Sequence, residues 1–112
     1  MIYIAIAAFA LSAVLGLIIL ISWLKQQNAS KAVIYSHGLA AVAGVLILVL
    51  YALQHPGNFP KVPLALFAVA AVAGLYIFIR DLQQKLSPLA LAFTHALVAV
   101  AGFIALLLFT FT

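Results

Sequence analysis

Two histidines, His37 and His95, are the residues of this chain best suited to chemistry. Each lies inside a long apolar segment that contains no residue with a permanent charge. Polar groups in such segments are costly, and they therefore favour a functional role. Neutral imidazole binds transition metals through a ring nitrogen. The pair is therefore a candidate ligand set for a metal-containing cofactor.

The composition excludes most other chemistry. The chain has no cysteine, which excludes disulfides, thiolate metal sites and iron–sulfur clusters. Asp81 is its single acidic residue, so a mechanism with paired carboxylates is excluded as well. The five cations form no cluster of the kind that binds nucleic acid. Catalytic triads and phosphate-binding loops are absent, and we expect a carrier rather than a stand-alone enzyme.

The histidines must be positioned by membrane-spanning helices. The chain of 112 residues is 70% hydrophobic and 5% charged, whereas a soluble domain carries roughly 25% charged residues. Its apolar segments are long enough to cross a hydrocarbon core, which takes about 20 helical residues. We predict one transmembrane domain, 1–112, with a lipid bilayer as its surroundings. Its spans are about 2–24, 32–53, 63–79 and 88–111. Ser87 is the expected N-cap of the last helix.

An internal repeat organises the four spans. A shift of 58 positions aligns 9–54 with 67–112 without a gap, and 19 of the 46 aligned pairs are identical. Self-similarity at a fixed period is the signature of a duplicated unit. We predict repeats over about 1–54 and 59–112, each a helical hairpin. The expected fold is an all-α, up-down-up-down four-helix bundle, with parallel repeats and a pseudo-twofold axis along the membrane normal.

The cations predict the orientation. Lys25 and Lys31 lie in the first connection and Arg80 and Lys85 in the third, whereas the opposite side carries only Lys61. The positive-inside rule places the first and third connections in the cytoplasm. Both termini are then on the outer, periplasmic side of what we expect to be a bacterial inner membrane.

Small residues follow each histidine on the same helix face. Ala41 and Gly44 follow His37, and Ala99 and Gly102 follow His95. In the expected bundle the two imidazoles meet across the axis at one depth. A flat macrocycle between spans two and four, ligated from both sides, needs opposed imidazoles and cleared walls. The pattern provides both.

These residues resemble a small membrane b-type cytochrome, in which a four-helix bundle holds one haem by two axial histidines. The resemblance covers the architecture and the pair His37 and His95 with the small residues beside them. It implies one haem b per chain and electron transfer, with quinone or a redox partner subunit as the exchange partner. Propionates directed to the cytoplasmic face would be paired with the cations there, which are Lys25, Lys31, Arg80 and Lys85.

Other interpretations remain open from the sequence. The glycines could serve close helix packing and the histidines could be hydrogen-bonded packing groups, as in a cofactor-free structural or assembly subunit. A chlorophyll- or bacteriochlorophyll-binding protein would use each histidine as a magnesium ligand. A proton-coupled exporter is disfavoured because the spans hold no carboxylate. Gly and Ala on the lipid-facing surface would also suit a homodimer, and His55 in HPGNFP is expected to be a solvated loop residue.

Overall fold

Four α-helices make up most of the chain. The computed structural model describes residues 1–85 and 88–112. Its helices are α1 (Ile2–Leu24), α2 (Lys31–Gln54), α3 (Lys61–Leu82) and α4 (Leu89–Phe111), and the described residues include no β-strand. All four helices are long and apolar enough to cross a membrane, with mean hydropathies of 2.2 to 2.9. The predicted all-α fold with four membrane-compatible helices is confirmed.

The third helix is longer than its apolar segment. It begins at Lys61, two residues before the predicted start at Pro63, and continues through Arg80 and Asp81 to Leu82. Pro63 lies in the first turn, where the amide hydrogen that proline lacks would have no helical acceptor. Charged residues at the end of an apolar segment mark the place where the helix leaves the hydrocarbon layer. They do not end the helical conformation, which can continue into the polar region. The expected N-cap Ser87 lies outside the described residues.

Each half of the chain is a helical hairpin. Residues 1–59 form one compact unit and residues 60–112 form the other. In the first unit α1 packs along α2, and in the second α3 packs along α4. Within the first hairpin, Phe9 approaches Gly44 while Gly16 approaches His37, so the sequence runs in opposite directions along the two helices. The corresponding contacts of Phe67 and Gly74 show the same antiparallel arrangement in the second.

The residues at each hairpin interface follow a 3–4 spacing. In the first hairpin they are Ile2, Ala5, Phe9, Ser12, Gly16 and Ile19 of α1, and Ile34, His37, Gly44 and Leu48 of α2. In the second they are Pro63, Phe67, Ala70, Gly74 and Ile77 of α3, and Ala92, His95, Gly102 and Leu106 of α4. Intervals of 3 and 4 average 3.5 residues, which keeps one face of a helix against its neighbour over many turns. Both histidines are therefore interface residues of their own hairpins.

Aromatic side chains fill gaps left by glycine on the partner helix. A Cβ placed on Gly44 would lie 2.8 Å from Cε1 of Phe9, and one on Gly102 would lie 3.2 Å from Cε1 of Phe67. Leu48 and Leu106, one turn further on, are fully buried. Close contact of this kind matters in lipid, where van der Waals packing replaces the hydrophobic effect as a source of helix association.

Most of the helical surface outside these interfaces is apolar and exposed. Only 17% to 22% of the most apolar window of each helix is buried. Exposed side chains include Leu11, Leu39, Val72 and Leu97. A contiguous apolar surface on this scale is unsuited to water and suits contact with lipid or with other helices.

One glutamine at the C-terminal end of the first helix of each hairpin has an unusual backbone conformation. Gln26 and Gln84 both have φ of 58°, in the left-handed region. The amide of Gln26 bonds to the carbonyl of Trp23, and that of Gln27 bonds to Ser22. This pair of bonds is a Schellman motif, in which glycine is the usual residue at the left-handed position. A side chain there costs about 1 kcal/mol relative to glycine.

Replacing these glutamines by glycine should stabilise each hairpin. We expect Gln26→Gly and Gln84→Gly each to raise the free energy of unfolding by about 0.5 to 1 kcal/mol, because the crowding of Cβ is removed. Denaturant titration in mild detergent micelles, followed by circular dichroism, measures the change. Gln27→Gly is the matched control, since the backbone of Gln27 is not left-handed. An equal gain from the control, or a loss from Gln26→Gly, would contradict the assignment.

Candidate cofactor-binding histidines

His37 is held by a hydrogen bond to the backbone of the neighbouring helix. It lies six residues after the start of α2, about 9 Å along the helix axis, and is half-buried. Its Nδ1 lies 2.7 Å from the carbonyl oxygen of Ser12 in α1. A carbonyl oxygen can only accept, so Nδ1 is the donor and carries the hydrogen.

This bond determines which nitrogen of His37 can act as a ligand. In a neutral imidazole one ring nitrogen carries hydrogen and the other has the lone pair. Donation from Nδ1 to Ser12 therefore makes Nε2 the nitrogen with the lone pair. Metal-binding histidines are commonly fixed in this way, with one nitrogen bonded to a carbonyl and the other directed at the metal.

His95 repeats this geometry in the second hairpin. It also lies six residues after the start of its helix, α4, and is half-buried. Its Nδ1 donates to the carbonyl oxygen of Ala70 in α3 at 2.8 Å. In both hairpins the donor and acceptor residues are 25 positions apart in sequence. Both imidazoles therefore carry hydrogen on Nδ1, which in a neutral ring leaves the lone pair on Nε2.

Glycine makes these carbonyl groups accessible to the rings. Gly16 follows Ser12 by four residues and Gly74 follows Ala70 by four, so each lies one turn beyond the acceptor on the same face. A Cβ on either glycine would lie 2.8 Å from Cε1 of the histidine. Any larger residue would therefore collide with the ring in the position from which it donates.

The residues that accept the rings have a recognisable sequence pattern. Small residues stand four apart in the first and third spans, namely Ser12 with Gly16 and Ala70 with Gly74. Their spacing of four residues is a usable signal. A backbone carbonyl group can accept a hydrogen bond from a ring when the residue one turn later has no side chain to block the approach. The hydroxyl group of Thr94, next to His95 in sequence, donates to the carbonyl oxygen of Ala90 in its own helix at 2.8 Å.

The small residues that follow the histidines lie at the same hairpin interfaces. Gly44 and Gly102 are buried, and the gaps that they leave are filled by Phe9 and Phe67. Ala41 and Ala99 lie one turn from the histidines and are half-buried. The glycines thus serve packing within each hairpin. A role for these four residues beside a cofactor stays a prediction.

The cations lie at the connected ends of the hairpins. Lys25 caps α1 and Lys31 begins α2, while Arg80 lies in the last turn of α3 and Lys85 follows it. The guanidinium carbon of Arg80 lies 5.8 Å from the centroid of the Tyr76 ring, within the range of a cation–π contact. Within each hairpin these cations lie at the same end as the histidine, and their role as propionate partners stays a prediction.

His55 differs from the other two histidines. It is exposed, follows the last residue of α2, and stacks on Tyr51 with ring centroids 4.1 Å apart. Its Nδ1 donates to the carbonyl oxygen of Tyr51 at 2.9 Å. The two residues are four apart in sequence, so this bond does not link two helices. His55 therefore belongs to the end of a helix and not to a hairpin interface.

Comparisons with known proteins provide no relative. No protein-family model, curated protein or solved structure matches the chain. The functional proposal therefore depends on the geometry of the histidines.

Adding a methyl group at the glycines should displace the rings. We expect Gly16→Ala and Gly74→Ala to break the bond from Nδ1 to the carbonyl oxygen, because Cε1 must move away from the new Cβ. Loss of this bond together with overpacking should cost about 1 to 3 kcal/mol of unfolding free energy. Denaturant titration in micelles measures the cost.

Gly38→Ala is the matched control for these variants. Gly38 is adjacent to His37, but a Cβ there would have no atom within 4 Å. Alanine in a helix interior should stabilise it by roughly 0.5 to 1 kcal/mol. If Gly16→Ala behaved like Gly38→Ala, the close approach of ring and glycine would be wrong.

Proposed function

We propose that the chain is a membrane electron-transfer protein that binds one haem b through Nε2 of His37 and of His95. The observation that carries this proposal is the pair of bonds from Nδ1 to the carbonyl oxygens of Ser12 and Ala70. Each bond places hydrogen on Nδ1, so a neutral imidazole in this position would offer Nε2 to a metal. The bonds also fix the direction of each ring.

The number of ligands favours haem over a bare metal ion. An ion held by side chains alone commonly needs three or four of them. Among residues 1–85 and 88–112, no group of three or more His, Cys, Asp and Glu is positioned to hold a metal. A macrocycle supplies its own equatorial nitrogens, so it needs only two axial ligands from the protein. Two histidines suffice for haem and fall short for zinc.

The surroundings of the histidines suit electron transfer. Haem iron with imidazole in both axial positions exchanges single electrons rather than binding oxygen. The outer bond of each imidazole increases its basicity and keeps it aligned. The helices around the rings are apolar. Quinone or a redox partner subunit is the proposed exchange partner, and the cations Lys25, Lys31, Arg80 and Lys85 are the proposed partners of the propionates.

We also infer that the hairpins are a tandem duplication. The hydrogen bonds of His37 and His95, the aromatic contacts of Gly44 and Gly102, and the left-handed glutamines all recur 58 positions apart. Two such hairpins, inserted in the same sense, would form the four-helix bundle with a pseudo-twofold axis along the membrane normal. The cation distribution supports an orientation with both termini outside, and a bacterial inner membrane is the proposed location.

A cofactor-free membrane subunit is the competing proposal. It is favoured by Phe9 and Phe67, which fill the gaps beside Gly44 and Gly102 that a macrocycle could otherwise have used. In such a subunit the histidines would only link helices, since a hydrogen bond between apolar helices stabilises their association. The two proposals differ in the colour of the purified protein.

An absorption spectrum tests the proposal. We expect the protein, purified in mild detergent after expression with haem supplementation, to contain one haem per chain with a low-spin spectrum in both oxidation states. His37→Ala and His95→Ala should each abolish that spectrum, because one axial ligand is lost. His55→Ala is the control and should leave it unchanged, since His55 is exposed at the end of α2.

Three results would overturn the proposal. A colourless protein after supplementation would favour the cofactor-free subunit. A near-infrared band would favour bacteriochlorophyll. A low-spin spectrum that survives His37→Ala or His95→Ala would show that the axial pair is wrong.

A further inference from the structure

Two lysines lie on either side of the connection between α1 and α2. Lys25 and Lys31 are the only Lys, Arg, Asp or Glu residues among positions 1–59. Both side chains are exposed. The connection therefore presents two positive charges, and the first hairpin contributes no carboxylate side chain to balance them.

Both lysines also lie at the ends of apolar segments. Lys25 directly follows α1, which has a mean hydropathy of 2.9, and Lys31 is the first residue of α2. An apolar helix that crosses a bilayer reaches the headgroup layer where its apolar segment ends. In a membrane the two ammonium groups are therefore at the depth of the lipid phosphates, toward which lysine side chains extend.

The packing of the hairpin brings the two lysines together. Ile19 and Ile34 are buried residues of the hairpin interface, six positions before Lys25 and three positions after Lys31. The helices thus remain packed close to their connected ends, and packed helices have axes about 8 to 10 Å apart. Each ammonium group is carried on a flexible four-carbon stem. Both can therefore approach the same anion.

This pair of lysines is not part of the repeated pattern. The positions 58 residues after Lys25 and Lys31 are occupied by Gln83 and Leu89. The second hairpin has its cations at other positions, and one of them is adjacent to Asp81. The close pair of cations without a carboxylate therefore belongs to the first hairpin, unlike the histidine bonds that both hairpins share.

We propose that the connected end of the first hairpin binds the headgroup of an anionic phospholipid, with Lys25 and Lys31 at its phosphate. A zwitterionic headgroup is a poorer partner because it brings its own cation to the two lysines. Each lysine near an anionic membrane surface favours binding by about fivefold. The inference rests on the membrane location of the helices and not on haem.

The same lysines are among the proposed partners of the haem propionates. A propionate and a lipid phosphate are both anions, so the two would compete for these lysines. The lipid test is therefore made on the haem-free protein, where only the lipid can occupy them.

Fluorescence quenching by brominated lipids is the test, and the protein contains its own probe. Trp23 is the only tryptophan of the chain and lies two residues before Lys25. Bromine on the acyl chain of an adjacent lipid quenches its emission. We compare two vesicle preparations with equal amounts of phosphatidylglycerol and phosphatidylcholine, in which one lipid or the other is brominated. Stronger quenching by brominated phosphatidylglycerol would measure its enrichment beside Trp23.

Charge variants identify the residues responsible. We expect Lys25→Gln and Lys31→Gln each to lower the enrichment by about fivefold, and the double variant to abolish it. Lys25→Arg should retain it, because the charge is kept. Lys61→Gln is the matched control, since it removes the same charge from an exposed lysine at the start of α3 and should leave the enrichment unchanged. Circular dichroism verifies that each variant retains its helix content.

Four results would overturn the inference. Equal quenching by the two lipids would show no preference, and enrichment that survives in the double variant would show that the lysines are not responsible. An equal loss in Lys61→Gln would indicate an effect of net charge alone. Loss of enrichment when inorganic phosphate replaces chloride at constant ionic strength would show a site for free phosphate instead of a lipid.

The outcomes separate this inference from the proposed function. A protein that binds no haem but enriches phosphatidylglycerol would overturn only the electron-transfer proposal. A protein that binds haem through His37 and His95 without enriching the anionic lipid would overturn only the lipid site. Failure to insert into vesicles would overturn both, because each depends on the membrane.

Discussion

The hydrogen bond from an imidazole to a helix carbonyl is the interaction on which the proposed site depends. The carbonyl groups of Ser12 and Ala70 already lie within helices, yet each oxygen has a second lone pair that can accept from the side. A ring reaches this lone pair only if the residue one turn later has no side chain. Gly16 and Gly74 meet that condition. Helix separation, ring direction and tautomer then follow from one contact.

At each hairpin interface a large side chain of one helix packs against a glycine of the other, and this occurs twice, once in each direction. An imidazole of the second helix occupies the gap at a glycine of the first, and an aromatic ring of the first occupies the gap at a glycine of the second. Van der Waals packing is the main source of association between helices in lipid, so this interlocking provides stability where exposed apolar residues cannot. It also fixes the relative position of the two helices, since neither ring can slide past the backbone beside it.

The sequence predicts the elements of this structure better than their contacts. Long apolar segments identified the four helices, and the apolar surroundings of His37 and His95 identified the candidate ligands. The acceptors could not be predicted because a backbone carbonyl has no sequence signature. The face of Gly44 suggested room for a cofactor, but Phe9 fills it, since hydrophobic pattern alone does not show which side chain enters a gap. Helix α3 extends beyond the predicted span, which ends at Ile79, because apolar character and helical conformation end for different physical reasons.

Nitrogen NMR of the histidine rings in the haem-free protein tests the central claim most directly. With histidine labelled by ¹⁵N and the protein in micelles, the correlation of ring nitrogens with ring carbon-bound hydrogens identifies the protonated nitrogen of each residue. The structure requires hydrogen on Nδ1 of both His37 and His95, and a neutral ring then has its lone pair on Nε2. A spectrum in which Nδ1 of either residue lacks hydrogen would contradict it, because that nitrogen could not then donate to the carbonyl oxygen.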